Sequence, residues 1–369
     1  MEYKEYELGE LLSYEQPTPY IVESTDYNDA YGTPVLTAGK SFILGYTDEK
    51  EGIYDQLPVI IFDDFTTASQ YVNFKFKVKS SAMKILTPVK ELVLPKYIYY
   101  QMQIINFDHS THKRYWIQQY SKIRISVPPL SEQERIVAQI EELFSQLDAG
   151  VETLKKTKAQ LAVYRQAVLK EAFEKVSARV LLGSISESRL GKMLDSEKNI
   201  GIPRRYLRNI NVRWHSFDLS DLSEMPIEEN EVDKYSLRKG DLVICEGGEP
   251  GRCAVWESDD VIFYQKALHR VRFTDSSNPK FYMYYLWYAA QTGQLKSLFT
   301  GTGIKHLTGQ SLVKVLVPTA ERITQDSIVN EIETHLSVCD SIEHTVDLAL
   351  QQAEAMRQSI LKDAFEGRL

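Results

Sequence analysis

One segment of the sequence occurs twice, and this repeat constrains the fold more than any other feature. Residues 136–174 align with residues 328–366 without a gap, and 15 of the 39 aligned pairs are identical. The copies end in nearly the same ten letters, RQAVLKEAFE at 165–174 and RQSILKDAFE at 357–366. Repetition at a fixed interval indicates that one structural unit is built twice. We therefore expect two similar halves.

Two shorter landmarks precede each copy in the same order. PKYIYY at 95–100 corresponds to PKFYMY at 279–284, and KIRISVP at 122–128 corresponds to LVKVLVP at 312–318. Each half therefore predicts a globular block, a helix beginning with Pro-Lys, a loop, a strand ending in Val-Pro and a long helix. The predicted class is an α/β (α+β) tandem repeat. The predicted boundaries are a first globular domain at 1–130, a long helix at 131–178, a second globular domain at 179–319 and a C-terminal long helix at 320–369.

Both long segments carry apolar residues at alternating intervals of three and four, the pattern of a coiled-coil seam. Since each chain contains two seams of matching length, we expect them to pack together in antiparallel orientation. That packing would relate the halves by a pseudo-twofold axis and hold the two blocks at opposite ends of a rod. The seam positions include Val137, Ile140, Phe144, Leu147, Leu154, Leu161, Arg165, Val329, Ile332, Leu336, Leu350, Arg357 and Ile360.

Two details of the helices follow from this interpretation. Ser131 and Glu134 fit a capping box, which would start the first long helix there. With antiparallel pairing, the polar seam residues Lys158 and Glu343 would lie near one another and help to fix the register. The sequence leaves one alternative open, in which each long helix packs on the globular blocks instead.

Composition indicates a globular protein of a reducing compartment. Hydrophobic residues make up 43% of the chain and charged residues 25%, which are ordinary globular values. The three cysteines lack CxxC spacing, and the start MEYKEYELGE is too charged for a signal peptide. The longest aromatic and apolar run, at 281–290, is shorter than the roughly 18 residues that a membrane span needs. We expect a cytoplasmic protein.

Motifs for catalysis are weak. The sequence contains no GxxxxGK[ST] phosphate loop, and VPPL at 127–130 lacks the Asn or Asp that an amino-methyltransferase places before Pro-Pro. Asp63 and Asp64 could suggest a Mg²⁺ site, but no acid-x-Lys follows, so a capped turn or a solvated pair is favoured. Cys245 and Cys253 lack paired histidines, which disfavours zinc. The sequence therefore predicts no catalytic, cofactor-binding or metal-binding residue.

Basic residues recur at equivalent places in the two halves. HSTHKRYW at 109–116 and GTGIKHL at 301–307 both lie between the Pro-Lys helix and the Val-Pro strand. Side chains in such loops can contact DNA phosphates and base edges. PRRYLRN at 203–209 is a third cluster, and FKFKVKSS at 74–81 would place three lysines on one face of a strand. The candidate DNA contacts are Lys75, Lys77, Lys79, Lys113, Arg114, Tyr115, Arg204, Arg205, Arg208, Lys305 and His306.

The net charge of −8 argues against a nucleic-acid partner, because DNA binding replaces phosphate counterions with Lys and Arg. The distribution of charge weakens this objection. Residues 320–369 carry ten acidic and four basic side chains, which is six of the eight excess negative charges. The acidity therefore belongs mainly to the last helix and not to the basic loops.

These motifs resemble those of the specificity subunit of type I DNA restriction-modification systems. The resemblance covers nearly the whole chain and is strongest at 122–174 and 301–369, in VPPLSEQERIVAQIE and in the two copies that end in AFE. It implies that the two blocks are target-recognition domains, each reading one half of a bipartite DNA sequence. The helices would set the distance between the halves and dock two modification (methyltransferase) subunits.

The resemblance also implies which cofactors and partners are involved. The chain itself would bind no cofactor, and S-adenosylmethionine would be held by the methyltransferase subunits. Restriction subunits, which use ATP and Mg²⁺, can join such an assembly. Two other functions remain open: a tandem-domain coiled-coil adaptor that does not bind DNA, which the basic loops disfavour, and an enzyme with an unrecognised site around Asp63 and Asp64.

Overall fold

The computed structural model describes residues 3–39, 41–108, 114–195 and 199–369. The chain forms two compact units. Unit 1 comprises Met1–Leu154 together with Leu348–Leu369, and unit 2 comprises Lys155–Asp347. Each unit contains one globular block and parts of both long helices.

The elements of the first half of the chain are nine strands and three α-helices within the described ranges. The strands are β1 (Lys4–Glu7), β2 (Leu12–Glu15), β3 (Thr33–Leu36), β4 (Ile43–Thr47), β5 (Val59–Asp63), β6 (Ser69–Val72), β7 (Lys77–Val78), β8 (Met83–Pro88) and β9 (Arg124–Val127). The helices are α1 (Leu8–Leu11), α2 (Pro95–Gln103) and the long α3 (Leu130–Glu174).

The second half repeats this order with a few additional short helices. Its strands are β10 (Arg179–Leu181), β11 (Ser186–Leu190), β12 (Ile202–Leu207), β13 (Ser223–Ile227), β14 (Leu242–Cys245), β15 (Cys253–Val255), β16 (Phe263–Tyr264), β17 (Leu268–Phe273) and β18 (Leu316–Pro318). Its helices are α4 (Leu182–Ile185), α5 (Val232–Tyr235), α6 (Pro279–Gln291), α7 (Gly309–Leu312) and the long α8 (Arg322–Phe365).

The two blocks have the same sheet topology. The order β2-β8-β5-β6 in unit 1 is repeated as β11-β17-β14-β15 in unit 2, and the three-stranded order β4-β3-β7 is repeated as β13-β12-β16. In both three-stranded sheets, one strand pair is parallel and the other antiparallel. A third sheet in each block pairs its first and last strands, β1 with β9 and β10 with β18. This confirms the predicted tandem α+β repeat.

An interior strand of the four-stranded sheet, β5 in unit 1 and β14 in unit 2, separates two cores in each block, and we call it the central strand. Along β5, Ile60 and Phe62 face the core that contains α2, whereas Val59 and Ile61 face the core beneath the three-stranded sheet. Successive side chains of a strand point to opposite faces, so a continuous apolar run fits a strand that is covered on both sides. The run VIIF in β5 and the run LVIC in β14 have this character, and both are fully buried.

The long helices are close to the predicted bounds. Helix α3 begins at Leu130, and the backbone N–H groups of Glu132 and Gln133 donate to the carbonyl of Pro129. Ser131 therefore lies inside the first turn and does not cap the helix, so the prediction of a capping box at Ser131 was wrong: the helix begins two residues earlier than that cap would place it. Helix α8 begins at Arg322, two residues after the predicted boundary.

Each Pro-Lys helix is fastened to a long helix by the same two contacts. In unit 1 the buried amide of Gln133 accepts the N–H of Leu94 at 2.8 Å, and Lys96 pairs with Glu141. Both contacts recur in unit 2. Their members there are Gln325, which accepts the N–H of Asn278 at 2.7 Å, and Lys280, whose Nζ lies 3.0 Å from Glu333.

The conserved ends of the repeat occupy equivalent aromatic contacts. In unit 1 the ring of Phe365 lies 5.2 Å from that of Tyr97 on α2, and in unit 2 the ring of Phe173 lies 5.4 Å from that of Phe281 on α6. The AFE sequence at the end of α8 thus packs on α2 of the first block, and the AFE sequence at the end of α3 packs on α6 of the second block. The long helices pack on the blocks as well as on each other, so the alternative in which they pack on the blocks instead of on each other was wrong.

Within each unit the seam positions are buried or half-buried and the helices run antiparallel. In unit 2 the side chain of Lys158 lies 2.7 Å from Asp347, and that of Arg165, further along α3, lies 2.6 Å from Asp340, which is earlier along α8. Contacts that move forward along one helix and backward along the other indicate antiparallel helices. Lys158 also lies 3.4 Å from Glu343, which confirms the predicted proximity. Hydrogen bonding to Asp347 raises the pKa of Lys158. No helix in the described ranges has the length and hydropathy needed to cross a bilayer.

Candidate nucleic-acid interface

The basic loop of each block returns to the end of that block's central strand. In unit 1 the N–H of Tyr115 donates to the carbonyl of Asp64 at 2.9 Å, and in unit 2 the N–H of Leu307 donates to the carbonyl of Glu246 at 2.7 Å. Asp64 and Glu246 each follow the central strand directly, β5 or β14. The two loops are therefore held at equivalent points of the two blocks.

The first loop provides fewer surface contacts than predicted. Lys113 lies outside the described residues. The guanidinium of Arg114 lies 5.9 Å above the ring of Phe65 and its side chain is exposed. Tyr115 is buried, with its ring 5.0 Å from that of Phe107. Because a buried core ring cannot reach DNA, the prediction of a DNA contact at Tyr115 was wrong.

The three lysines of FKFKVKSS do not share an exposed face. Only Lys77 and Val78 of this segment belong to a strand, and Lys77 is buried with its Nζ 2.7 Å from Glu49. Its ammonium group is used inside the block, so Lys77 was wrongly predicted as a DNA contact. Lys75 and Lys79 are exposed, and Lys75 lies 3.6 Å from Asp55.

The acidic pair that suggested a metal site has structural roles. The Oδ1 atom of Asp63 accepts the N–H groups of Phe65 and Thr66, which closes a turn as the sequence favoured. Asp64 is not solvated: it is buried with its Oδ2 atom 3.3 Å from the buried Lys84. The described residues contain no group of three His, Cys, Asp or Glu side chains arranged to hold a metal ion.

The arginine cluster of unit 2 is partly neutralised by acidic neighbours. Arg208 donates to Asp221 at 2.6 Å, and Arg204 lies 3.8 Å from Glu229 with its guanidinium above the ring of Phe263. Arg205 is exposed on β12. The strand period of two turns Arg205 away from its neighbour Arg204. The cluster therefore offers Arg205 most directly to a partner.

The second basic loop is a closed turn. Thr300 and His306 exchange two backbone hydrogen bonds of 2.8 Å and 2.9 Å, and the Nζ atom of Lys305 donates to the carbonyl of Gly301 at 2.8 Å. Gly301 has a φ of +95°, and a Cβ atom there would lie 2.3 Å from the carbonyl oxygen of Ile304. Only glycine fits such a turn. Lys305 is exposed and His306 is half-buried.

A cleft of about 590 Å³ lies beside this loop in unit 2. Its lining comes from four separate segments of the chain: Met193 and Leu194 after β11, Glu246 after β14, Gln265 and Lys266 between β16 and β17, and Thr300 and His306 of the loop. We call it the unit 2 cleft. Of its residues, the sequence predicted only His306, because the others carry no local motif.

Parts of the chain are similar in sequence to known proteins. Residues 1–162 match the family model of the type I restriction modification DNA specificity domain. The EcoR124I/EcoR124II specificity subunit of Escherichia coli is 50% identical over 146 residues, which cover 38% of this chain and 36% of that protein. The EcoKI specificity subunit of Escherichia coli (strain K12) is 26% identical over 277 residues, which cover 68% and 58%. The matches span less than two thirds of either relative.

Solved structures share the fold over the whole chain. A chain from a study of complex assembly and conformational transition of the type I R-M system has a TM-score of 0.74 at 17% identity, covering 100% of this chain and 98% of that one. The HsdS subunit from Thermoanaerobacter tengcongensis has a TM-score of 0.57 at 18% identity, covering 100% and 97%. Residues 1–162 therefore match the type I restriction modification DNA specificity domain by sequence, and the whole chain shares its fold with these two solved structures.

Proposed function

We propose that this chain is the DNA-binding specificity subunit of a type I restriction-modification complex. The block of unit 1 reads one half of a bipartite target and the block of unit 2 reads the other. Two methyltransferase subunits dock on the long helices and supply S-adenosylmethionine and the chemistry, while the chain itself catalyses nothing. Restriction subunits that use ATP and Mg²⁺ join the same assembly.

The observation that carries this proposal is that the two blocks share one backbone framework but differ in the side chains beside their basic loops. The Gln133 and Gln325 contacts hold equivalent helices in the two units, so the frame is the same. The side chains at the root of each basic loop differ, since Lys84 beside Asp64 in unit 1 corresponds by strand register to His269 beside Glu246 in unit 2. Two different half-targets require equivalent frames that carry different readers.

The helices support the docking of two similar partners. Tyr164 and Met356 are separated by the repeat interval, and both are exposed apolar side chains, at 45% and 53%. Val163, which is 67% exposed, adjoins Tyr164. Exposed large apolar side chains that recur at equivalent positions suit protein contacts better than DNA contacts. An acidic helix with such positions favours a protein partner.

The contacts of Asp63 and Asp64 support the part of the proposal in which the chain catalyses no reaction. Asp63 closes a turn and Asp64 holds Lys84, so neither carboxylate is available for a metal ion without breaking a structural contact. A carboxylate that is paired in a buried site is costly to remove from its partner. The enzyme alternative at this site is therefore disfavoured.

The proposal is tested by mapping methylated DNA in cells. Cells would carry the methyltransferase subunit of the same system either with this chain or without it. We expect methylation of one two-part sequence only when the chain is present. A methylation pattern that does not depend on the chain would contradict the proposal. Methylation or cleavage by the purified chain alone, given S-adenosylmethionine or metal, would contradict its non-catalytic role.

A further inference from the structure

The position that follows the central strand is closed in unit 1 and open in unit 2. In unit 1 Asp64 is buried against Lys84, and its Oδ1 atom accepts the N–H of Trp116 at 2.8 Å. In unit 2 the equivalent residue, Glu246, is half-buried on the unit 2 cleft. Its carboxylate forms no ion pair and accepts no hydrogen bond in the described part of the chain. The same frame therefore has a structural carboxylate in one block and, in the other, a carboxylate on the cleft that lies near the buried His269 and opposes the lowering of that histidine's pKa by burial.

The backbone around Glu246 is fixed on both sides. Its N–H donates to the carbonyl of Ala267 at 2.9 Å and its carbonyl accepts the N–H of Leu307 at 2.7 Å. The N–H of Lys266 donates to the carbonyl of Lys192 at 2.8 Å. Side chains on such a frame are presented in a defined direction, as a specific recognition site requires.

One residue of the cleft has a strained backbone. Ala267 has a φ of +89°, a region that residues with a Cβ atom rarely adopt. Backbone strain of this kind is concentrated at functional sites. At this position it forms the turn that carries Gln265 and Lys266 to the cleft. The described part of the chain offers neither side chain a hydrogen-bond partner or an ion pair.

The chemical groups that line the cleft favour the edges of DNA bases over phosphates as its ligand. A phosphate needs donors only, and the carboxylate of Glu246 would repel it. Base edges in the major groove offer both donors and acceptors. A carboxylate accepts from the amino group of cytosine, a glutamine amide pairs with adenine, and a lysine ammonium donates to guanine. The exposed apolar residues Met193 and Leu194 suit the methyl group of thymine.

We infer that the unit 2 cleft is the base-reading surface of the second block, with Glu246, Gln265 and Lys266 as residues that determine which sequence it selects. Lys305, on the exposed side of the adjoining loop, contacts phosphate and sets position without selecting sequence. This inference rests on the proposed function, because it assigns the reading of one half-target to three named side chains.

The inference is tested by selection from a randomised DNA duplex. The full chain, assembled with the methyltransferase subunits of its system, would be used as wild type and as the variants Glu246→Gln, Gln265→Ala and Lys266→Gln. Lys239→Gln is the matched control, because Lys239 is an exposed lysine of the same unit whose Nζ contacts only the exposed Asp259 in the described part of the chain. Bound sequences would be read out and the salt dependence of binding measured.

We expect each cleft variant to relax or change the preference at one or two positions of one half-target by roughly ten- to hundred-fold. The other half-target and the Lys239→Gln profile should match the wild type. If all three cleft variants keep the wild-type preference, or lose affinity uniformly for every sequence, the inference is wrong while the proposed function stands. If the wild-type complex selects no sequence, the proposed function itself fails. Since Gln265 and Lys266 have no partner in the described part of the chain, their variants test the inference even if Glu246→Gln does not fold.

Discussion

The side-chain amide of Gln133 holds the first turn of α2 by accepting the backbone N–H of Leu94 at 2.8 Å. Its Nε2 atom also donates to the carbonyls of Leu92 and Pro128, at 3.0 Å and 2.9 Å. Gln133 is fully buried, so three backbone groups depend on one side chain. The same role belongs to Gln325 in unit 2.

The first prediction concerns this amide. Replacing Gln133 by Ala should lower the free energy of unfolding of unit 1 by about 2–4 kcal/mol, because buried backbone groups lose their partners. Hydrogen exchange at α2 would measure the change. Gln160→Ala makes the same substitution at an exposed position of α3 and should have little effect. Equal protection of α2 in the two variants would contradict the role assigned to Gln133.

A second prediction concerns the pH dependence of unit 2. Burial lowers the pKa of His215 to about 4, with a smaller opposing effect from the charge of Asp340. The ring packs against Trp287 and Tyr284, at 4.2 Å and 5.2 Å between ring centres. The neutral ring is therefore the form that the folded protein accepts.

The sign follows from the lowered pKa of His215. Its contribution to stability is complete above pH 6.5, where the unfolded histidine is also neutral, and is lost as the pH falls towards 4. Wild type should lose about 3 kcal/mol more stability than His215→Asn between pH 7 and pH 4. Asn tolerates the local φ of +66°. Denaturant unfolding at a series of pH values measures this difference, and parallel curves would refute the prediction.

The third prediction concerns the ion pairs along the seam in unit 2. Arg165 lies 2.8 Å from Glu343, and both side chains are partly buried. A double-mutant cycle with Arg165→Ala and Glu343→Ala should give a coupling energy of about 0.5–1 kcal/mol that decreases at high salt. The exposed pair Lys170 and Glu174 on α3, 3.8 Å apart, is the control and should show almost no coupling. A coupling equal to that of the control would show that Arg165 does not fix the register.

A fourth prediction concerns the second basic loop. Changing Lys305 and His306 to Ala should weaken DNA binding by the assembled complex for all sequences and lower the salt slope by about one for each lost phosphate contact. Binding measured at several salt concentrations gives the slope, with Lys239→Ala as the control. An unchanged slope would remove this loop from the DNA surface. Lys113 and Arg114 form the corresponding pair in unit 1.

Much of the fold could be predicted because apolar residues recur at the same helical and strand spacings in both halves of the sequence. The seam positions, the Pro-Lys helices and the Val-Pro strands depend on local patterns that the sequence shows directly. The contact between Lys158 and Glu343 followed from the antiparallel register alone. Gln133 and Gln325 could also have been identified, because they are identical residues separated by the repeat interval.

The candidate site was harder to predict because burial depends on contacts that are distant in sequence. The sequence predicted Lys77 as a surface lysine, but its side chain is buried and forms an ion pair with Glu49, which comes from a separate segment of the chain. Tyr115 follows two basic residues yet packs in an aromatic core. The unit 2 cleft unites Glu246 with Lys266 and His306, and no single stretch of sequence contains all three.

The central claim is that the two blocks are independent readers on one frame. Its most direct test is to replace residues 1–130 by the first block of a related specificity subunit and to map the methylated DNA sequence in cells that carry the methyltransferase subunit. If each block reads its own half, one half of the two-part target changes while the other half and the spacing remain the same. A change in both halves, or no change in either, would contradict it.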